Sequence, residues 1–339
     1  MKTLNYIVLT GLMVLLTSLT ACDDEASLDN ATLRSLQHQK ELLDQLTGEP
    51  QGWKVTYFPH TDSLLFSDLN RNIRAYDYDP EDMGYGGKMF VMKFMPDGTV
   101  TMTSDDSVQS CLTPRQSEYL IKQGMMTQLS FTTYTYLHGL VNSRFCGTSD
   151  FYYKGLDLDG NALFTSGNYM EPARELIQFE ALGTASAGDV VRQACENRIF
   201  FEQMDNPQIS IRQGDRIFFR SDYFIKTENR SQGMRERRYE VFLYEKLQSL
   251  TGEFPREVQA LGSGYTGTDI GLKFYPGIRL NDKYVFSDFE RVGDRFHCEL
   301  VRVYSSRYRK YFYGSKHRYP DGEYTGMEAV ITNEPIKKS

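Results

Sequence analysis

The sequence predicts a mainly β protein of two antiparallel lobes, each a β-sandwich or partly closed barrel, with an N-terminal helix ahead of them. Three observations carry this. The 339 residues include 23 tyrosines and 21 phenylalanines beside a single tryptophan, a distribution that suits pleated, half-buried strands. From Gly52 onward apolar and polar residues alternate with period two. The alternating segments are joined by tight Gly, Asp and Asn turns, where βαβ units would need intervening helices. A chain of this length buries a sizeable core and does not need disulfides or metal to fold.

The first element precedes the fold. Met1-Lys2 is a short basic n-region and residues 6–19 form an apolar stretch with almost no charge, the pattern of a secretory signal. The stretch is too short and too interrupted for a transmembrane span of about 20 apolar residues. It ends Leu19-Thr20-Ala21-Cys22, similar to the lipobox of bacterial lipoproteins, in which the cysteine receives lipid and becomes the first mature residue. Several acyl chains hold a protein on a bilayer where one does not. Asp23-Asp24-Glu25 follows directly and resembles the signal that exports Bacteroidota lipoproteins to the outer face of the outer membrane. Removing residues 1–21 leaves 37 basic against 45 acidic residues, and this anionic body disfavours a nucleic-acid partner.

The mature chain divides into an acidic tether (residues 22–29), a helix with a first β lobe (30–185) and a second β lobe (186–339). Asp29 or Asn30 caps a helix with Leu33, Leu36, Leu43 and Leu46 along one face, ended by Gly48 and Pro50. Trp53, Val55 and Tyr57 open the first strand. Residues 89–95 and 99–103 pair around Pro96-Asp97-Gly98, with Val100 and Met102 inward and the threonines outward. Residues 129–135 read as a strand, and 151–158 with 161–164 as a hairpin turning at Asp159-Gly160. Gly183 to Asp189 is small and flexible enough to separate the lobes. Beyond it, hairpins turn at Gly214-Asp215, Asn281-Asp282 and Gly293-Asp294. Tyr239 to Leu250 fits helix or strand, and its apolar spacing leans to helix.

Four cysteines lie beyond Cys22: Cys111, Cys146, Cys195 and Cys298. An even number in an exported chain suggests disulfides, and the lobe boundary favours Cys111 with Cys146 and Cys195 with Cys298. Reduced, buried thiols are the alternative. No C-x-x-C pair, H-E-x-x-H helix, G-x-S-x-G elbow or Gly-rich phosphate loop is present, so no metal or cofactor is expected. Asp157-Leu158-Asp159-Gly160-Asn161 lacks the later ligands of a calcium loop and reads better as a hairpin turn. Asp77, Asp79, Glu81 and Asp82 could hold a calcium ion in an irregular loop, but a solvated acidic loop is the better reading. The strongest binding signal is the run from Tyr304 to Tyr324, where aromatics interleave with basic residues. Tyr308, Arg309, Tyr311 and Tyr313 are its candidate contact residues, since aromatic faces beside cations stack on sugars or planar groups and pair with carboxylates. An edge strand packing its aromatics inward is the competing account. Arg230, Arg235, Arg237 and Arg238 form a second basic cluster.

Several segments resemble a family of Bacteroidota outer-membrane lipoproteins of unassigned function. They are residues 52–59 (GWKVTYFP), 86–94 (GGKMFVMKF), 100–105, 129–134 with Leu137-His138, and 147–151, and in the second lobe 266–272 (TGTDIGL). The resemblance implies a gene neighbourhood with a SusC-like TonB-dependent transporter and a SusD-like lipoprotein. It therefore implies an accessory, non-enzymatic role in nutrient capture on the cell surface, and it brings no catalytic residues. The runner-up expectation is a surface hydrolase acting on glycan or peptide where the lobes meet.

Overall fold

A computed structural model of the chain describes residues 24–61, 86–141, 147–167, 174–205, 207–226, 238–242, 260–280 and 283–333. Cys22, Asp23, Cys146, the 77–82 acidic loop and Arg230, Arg235 and Arg237 lie outside them. The fold is mainly β, with one closed eight-stranded barrel, a second curled half-barrel sheet and an N-terminal helix.

Helix α1 (Asp24–Thr47) takes in Asp24 and Glu25 and begins before the expected cap at Asp29 or Asn30. Its leucine stripe divides by position. Leu42 and Leu46 are buried and Leu43 packs beside them, whereas Leu33 and Leu36 lie on the exposed first half. The barrel orders β1 (Trp53–Thr61), β2 (Lys88–Phe94), β3 (Thr99–Ser104), β4 (Arg115–Gln123), β5 (Thr127–Phe131), β6 (Asp150–Leu156), β7 (Ala162–Thr165) and β8 (Arg174–Ala181). It closes where β8 pairs antiparallel with β1, Trp53 opposite Ala181. Val100 and Met102 are fully buried and Thr101 is exposed, as the alternation of β3 requires.

Eight strands enclose a space just wide enough for side chains. Here Trp53, Tyr57, Phe90, Phe94, Phe131, Phe151, Phe164 and Phe179 fill it, with Phe164 and Phe179 centroids 4.6 Å apart. The Trp53 indole donates to the Leu46 carbonyl at 2.9 Å, fastening the end of α1 to the barrel. The lumen is therefore core, and any ligand must sit on the outside of the barrel.

The second sheet runs β14 (Val285–Val292), β13 (Gly271–Arg279), β12 (Ala260–Gly267), β11 (Arg238–Phe242), β10 (Arg216–Lys226), β9 (Gln208–Gln213), β17 (Glu323–Thr332), β15 (Arg295–Ser305), β16 (Lys310–Ser315). It curls because β14 also pairs with β15 around the Gly293-Asp294 turn. Of the Tyr239–Leu250 stretch, residues 239–242 belong to strand β11 (238–242), paired with β10 and β12 against the lean to helix, and 243–250 lie outside the described residues. Helical spacing and alternation coincide over so short an apolar run, and strand partners on both sides decide the outcome.

Two helices join the lobes. Helix α2 (Val108–Leu112) follows β3, and α3 (Ala187–Glu202) follows the turn at Gly183. Val190, Val191, Ala194, Cys195, Arg198 and Phe201 recur on the buried face of α3. A separate core joins α3 to Met89 and Val91 of β2 and Cys111 of α2. Among the described residues no helix is long and apolar enough to cross a membrane.

Arg198, 2% exposed, locks this junction. It donates to the carbonyls of Asp105 (2.9 Å) and Asp106 (3.0 Å) in the barrel lobe and to Glu202 Oε2 (2.7 Å). The Asp105 carboxylate accepts from the Met89 amide (3.0 Å) and the Thr266 hydroxyl (3.2 Å) of β12. Glu202 accepts from Tyr265 OH at 3.1 Å. Burial alone opposes the guanidinium's charge, but Asp105 and Glu202 outweigh it and hold Arg198 more firmly protonated than usual.

Candidate functional site: a charged cleft where the lobes meet

A cleft of about 500 Å³ opens between the barrel and the second sheet, within the size range of small-molecule sites. Its floor is a continuous chain of alternating charges. The Lys54 ammonium (β1) bridges Asp269 Oδ1 at 2.9 Å and Glu180 Oε1 (β8) at 3.0 Å. Glu180 Oε2 meets Arg318 at 3.3 Å, and Arg318 meets Asp288 (β14) at 3.2 Å. Asp288 in turn pairs with Lys273 (β13) at 3.2 Å. Asp159 lies 3.9 Å from Arg318 and accepts from Tyr319 OH at 2.9 and 2.8 Å. The barrel supplies Lys54, Glu180 and Asp159, and the second lobe supplies Asp269, Lys273, Asp288 and Arg318.

Strand register makes the arrangement. Lys54 stands opposite Glu180 across β1 and β8, and Lys273 opposite Asp288 across β13 and β14. The Asp159 turn is closed by Asp157, whose carboxylate accepts from the Asp159 and Asn161 amides, the Asn161 side chain and Gln178. Those bonds explain the Asp157–Asn161 motif as a hairpin turn. Among the described residues no group of three or more His, Cys, Asp or Glu is placed to hold a metal ion.

The electrostatics follow from the pairing. Burial works against the Lys54 charge, but Glu180 and Asp269 raise its pKa above the ordinary lysine value. Asp288 is desolvated, which alone would raise it, yet Lys273 and Arg318 hold it well below the usual carboxylate range. Arg318 is likewise held charged by Asp288 and Glu180 against its burial. Burial lowers His317, so its imidazole is neutral at pH 7. Three cations thus face four carboxylates in a rigid polar wall.

None of the sequence-predicted candidates Tyr308, Arg309, Tyr311 and Tyr313 lines this cleft. Tyr308 and Arg309 sit in the turn between β15 and β16, Arg309 in the left-handed region with φ 51°. Tyr304, Tyr308 and Tyr311 are each more than half exposed. Tyr304 and Tyr311 meet edge to face at 5.1 Å, and the Arg302 guanidinium lies 3.8 Å above the Tyr311 ring. Tyr313 is half-buried against Tyr284 at 5.2 Å and is not free for a partner in the same way. Arg307 donates to the Leu156 carbonyl of β6 at 3.1 Å, tying the hairpin to the barrel. β16 therefore carries the exposed Tyr311 at its start and leads, through the next turn, into His317 and Arg318 of the cleft.

The expected Cys195–Cys298 disulfide is absent, and Cys146, the expected partner of Cys111, lies outside the described residues. Cys111, Cys195 and Cys298 are free and buried. Cys111 and Cys195 share the core joining α2 to α3, where the Cys111 thiol donates to the Ser104 carbonyl at 3.3 Å. Cys298 lies elsewhere, in the core of the second lobe, 3.5 Å from Ser315 Oγ. The lobe boundary is a packed junction, so it brings together the very cysteines assigned to separate lobes.

Of the cleft residues, Asp159 belongs to the Asp157–Asn161 motif and Arg318 to the Tyr304–Tyr324 run, whereas Lys54, Glu180, Asp269, Lys273 and Asp288 are not singled out by the sequence. Lys54 and Asp269 are 215 positions apart. Their one signal was membership of the segments 52–59 and 266–272.

Two antiparallel β lobes, locked by a buried helix and enclosing a polar cleft, define the class of protein. The chain belongs to the family described as Domain of unknown function (DUF4302), which matches residues 23–293. The match covers α1, the barrel, α3 and the second sheet through β14. No curated protein and no solved structure matches the chain.

Proposed function

We propose that this chain is a lipid-anchored protein on the outer face of the outer membrane, where it serves a SusC/SusD-type importer as an accessory ligand-binding component. The observation that carries the binding role is the cleft itself. Its four carboxylates converge as a hydrolase would need, but ion pairs tie Glu180, Asp269 and Asp288 to cations, and Asp159 is engaged by Tyr319 and lies beside Arg318. A general acid needs a carboxyl raised toward neutral pH, and Asp288 is shifted the other way. Such a wall suits recognition of a polar ligand rich in hydroxyl, amide or charged groups. The anchor rests on the sequence up to Cys22.

Affinity purification from detergent-extracted membranes tests the assignment. The tagged wild-type chain should carry a SusC-like channel and its SusD-like lid, and protease added to intact cells should remove it. Cys22→Ala should leave the chain unprocessed or soluble, with neither partner recovered. A wild-type protein that is fully protected in sealed cells and purifies alone would refute the proposal.

A further inference from the structure

We infer a second binding site, for an oxyanion, on the face of the second sheet that points away from its core. Ile209 and Ile211 of β9 are fully buried in that core, so Gln208, Ser210 and Arg212 share the opposite face. Together with Arg220 of β10, strand β17 and the Asp294-Arg295 turn they line a pocket of about 280 Å³. None of these residues lines the cleft between the lobes.

The pocket has charge and an unsatisfied donor. Its arginines, Arg212, Arg220 and Arg295, face a single lining carboxylate, Asp294. Arg212 is held in place by Glu328 at 2.6 Å, and Glu328 is also bound by His297 at 2.7 Å. Arg295 meets Asp294 only at 3.8 Å, with both side chains well exposed. Arg220 makes no ion pair among the described residues, and its Nε and Nη2 donate to Gln208 Oε1 at 3.2 and 3.0 Å. Those two bonds fix the amide's orientation, since a flipped amide would set N–H against N–H. Gln208 is 3% exposed, and its Nε2 is buried without an acceptor. A buried donor with no partner is rare and disfavoured.

An oxyanion answers both features. One oxygen can take the remaining Arg220 donors, a fork that matches carboxylate, sulfate or phosphate geometry, and the Gln208 amide, sealed from solvent as it stands, reaches another by a small shift of its side chain toward the pocket. Arg295 then closes over it from the turn, exchanging its loose contact with Asp294. The volume admits a single anionic group, so the ligand is an acidic sugar, a carboxylate or a sulfated or phosphorylated terminus.

Titration calorimetry on the mature chain tests this with sodium sulfate, phosphate, acetate and glucuronate as separate probes. At least one should bind saturably, and the pattern distinguishes tetrahedral from planar anions. Arg220→Gln should weaken that binding by tenfold or more. Arg295→Gln, at an exposed position, should weaken it several-fold with an unchanged thermal midpoint. If Arg220→Gln fails to fold, Ser210→Glu, which places a carboxylate in the pocket, serves in its stead and should abolish binding. No saturable binding of any probe at 0.15 M ionic strength, or binding that Arg295→Gln and Ser210→Glu leave intact, would overturn the inference.

Discussion

Gly267 of β12 shows how little freedom the lobe junction leaves to single side chains. A Cβ there would stand 2.0 Å from the Ala194 carbonyl oxygen of α3, a backbone atom that cannot swing aside. Gly267→Ala should cost about 1–3 kcal/mol through overpacking, read as a lowered urea midpoint with an unchanged slope. Cys298 offers a second test. Burial pushes its thiol up to about 12, and only the thiolate reacts. A thiol reagent at pH 8 should leave it unlabelled in the native protein and label it in denaturant. Native labelling at the denatured rate would mean that this core is open.

At the scale of elements, the β15–β16 hairpin carries three tyrosines that are more than half exposed, Tyr304, Tyr308 and Tyr311. Because Tyr308 and Tyr311 are more than half exposed, the pair Tyr308→Ser and Tyr311→Ser should change stability by no more than about 0.5 kcal/mol per site. The same pair should weaken co-purification with the importer, and unchanged recovery would remove the hairpin from the contact surface. The elements themselves were legible where local chemistry decides them. Period-two alternation and Gly-Asp or Pro-Asp-Gly turns located β2 with β3, β6 with β7, and β9 with β10. Helix α3 was not legible, because its buried stripe includes Cys195 and Arg198 and its start reads as a Gly-Ala-Ser linker. The exposure of Leu33 and Leu36 was equally hidden, since the helical period fixes a face but not how far the barrel reaches along it. The cleft depends on pairs such as Lys54 with Asp269, which only the docking of the two lobes creates.

For the whole molecule, the charge chain across the lobes makes stability depend on acid. The Asp288 pKa is lowered by folding, so its contribution is present above the unfolded value of about 4 and is lost as pH falls through the folded value. His317 slopes the same way, losing stability below about pH 6.5, because burial disfavours its charged form. The thermal midpoint should fall on acidification. Asp288→Asn should flatten the limb below pH 4 while costing on the order of 2 kcal/mol at pH 7, since Lys273 and Arg318 lose a mostly buried partner. The central claim is that the locked lobes present a preformed cleft for a polar ligand. It is tested most directly by calorimetric titration of the mature chain with neutral oligosaccharides and C-terminally amidated short peptides, which carry no oxyanion for the second-sheet pocket, comparing wild type with Ile270→Trp. Ile270 lines the cleft, is 46% exposed and stands outside the ion-pair chain, so the indole blocks the cleft and leaves the fold intact. Saturable binding by the wild type that the variant loses, at equal thermal midpoints, is the predicted result, and a ligand bound equally by both proteins would contradict it.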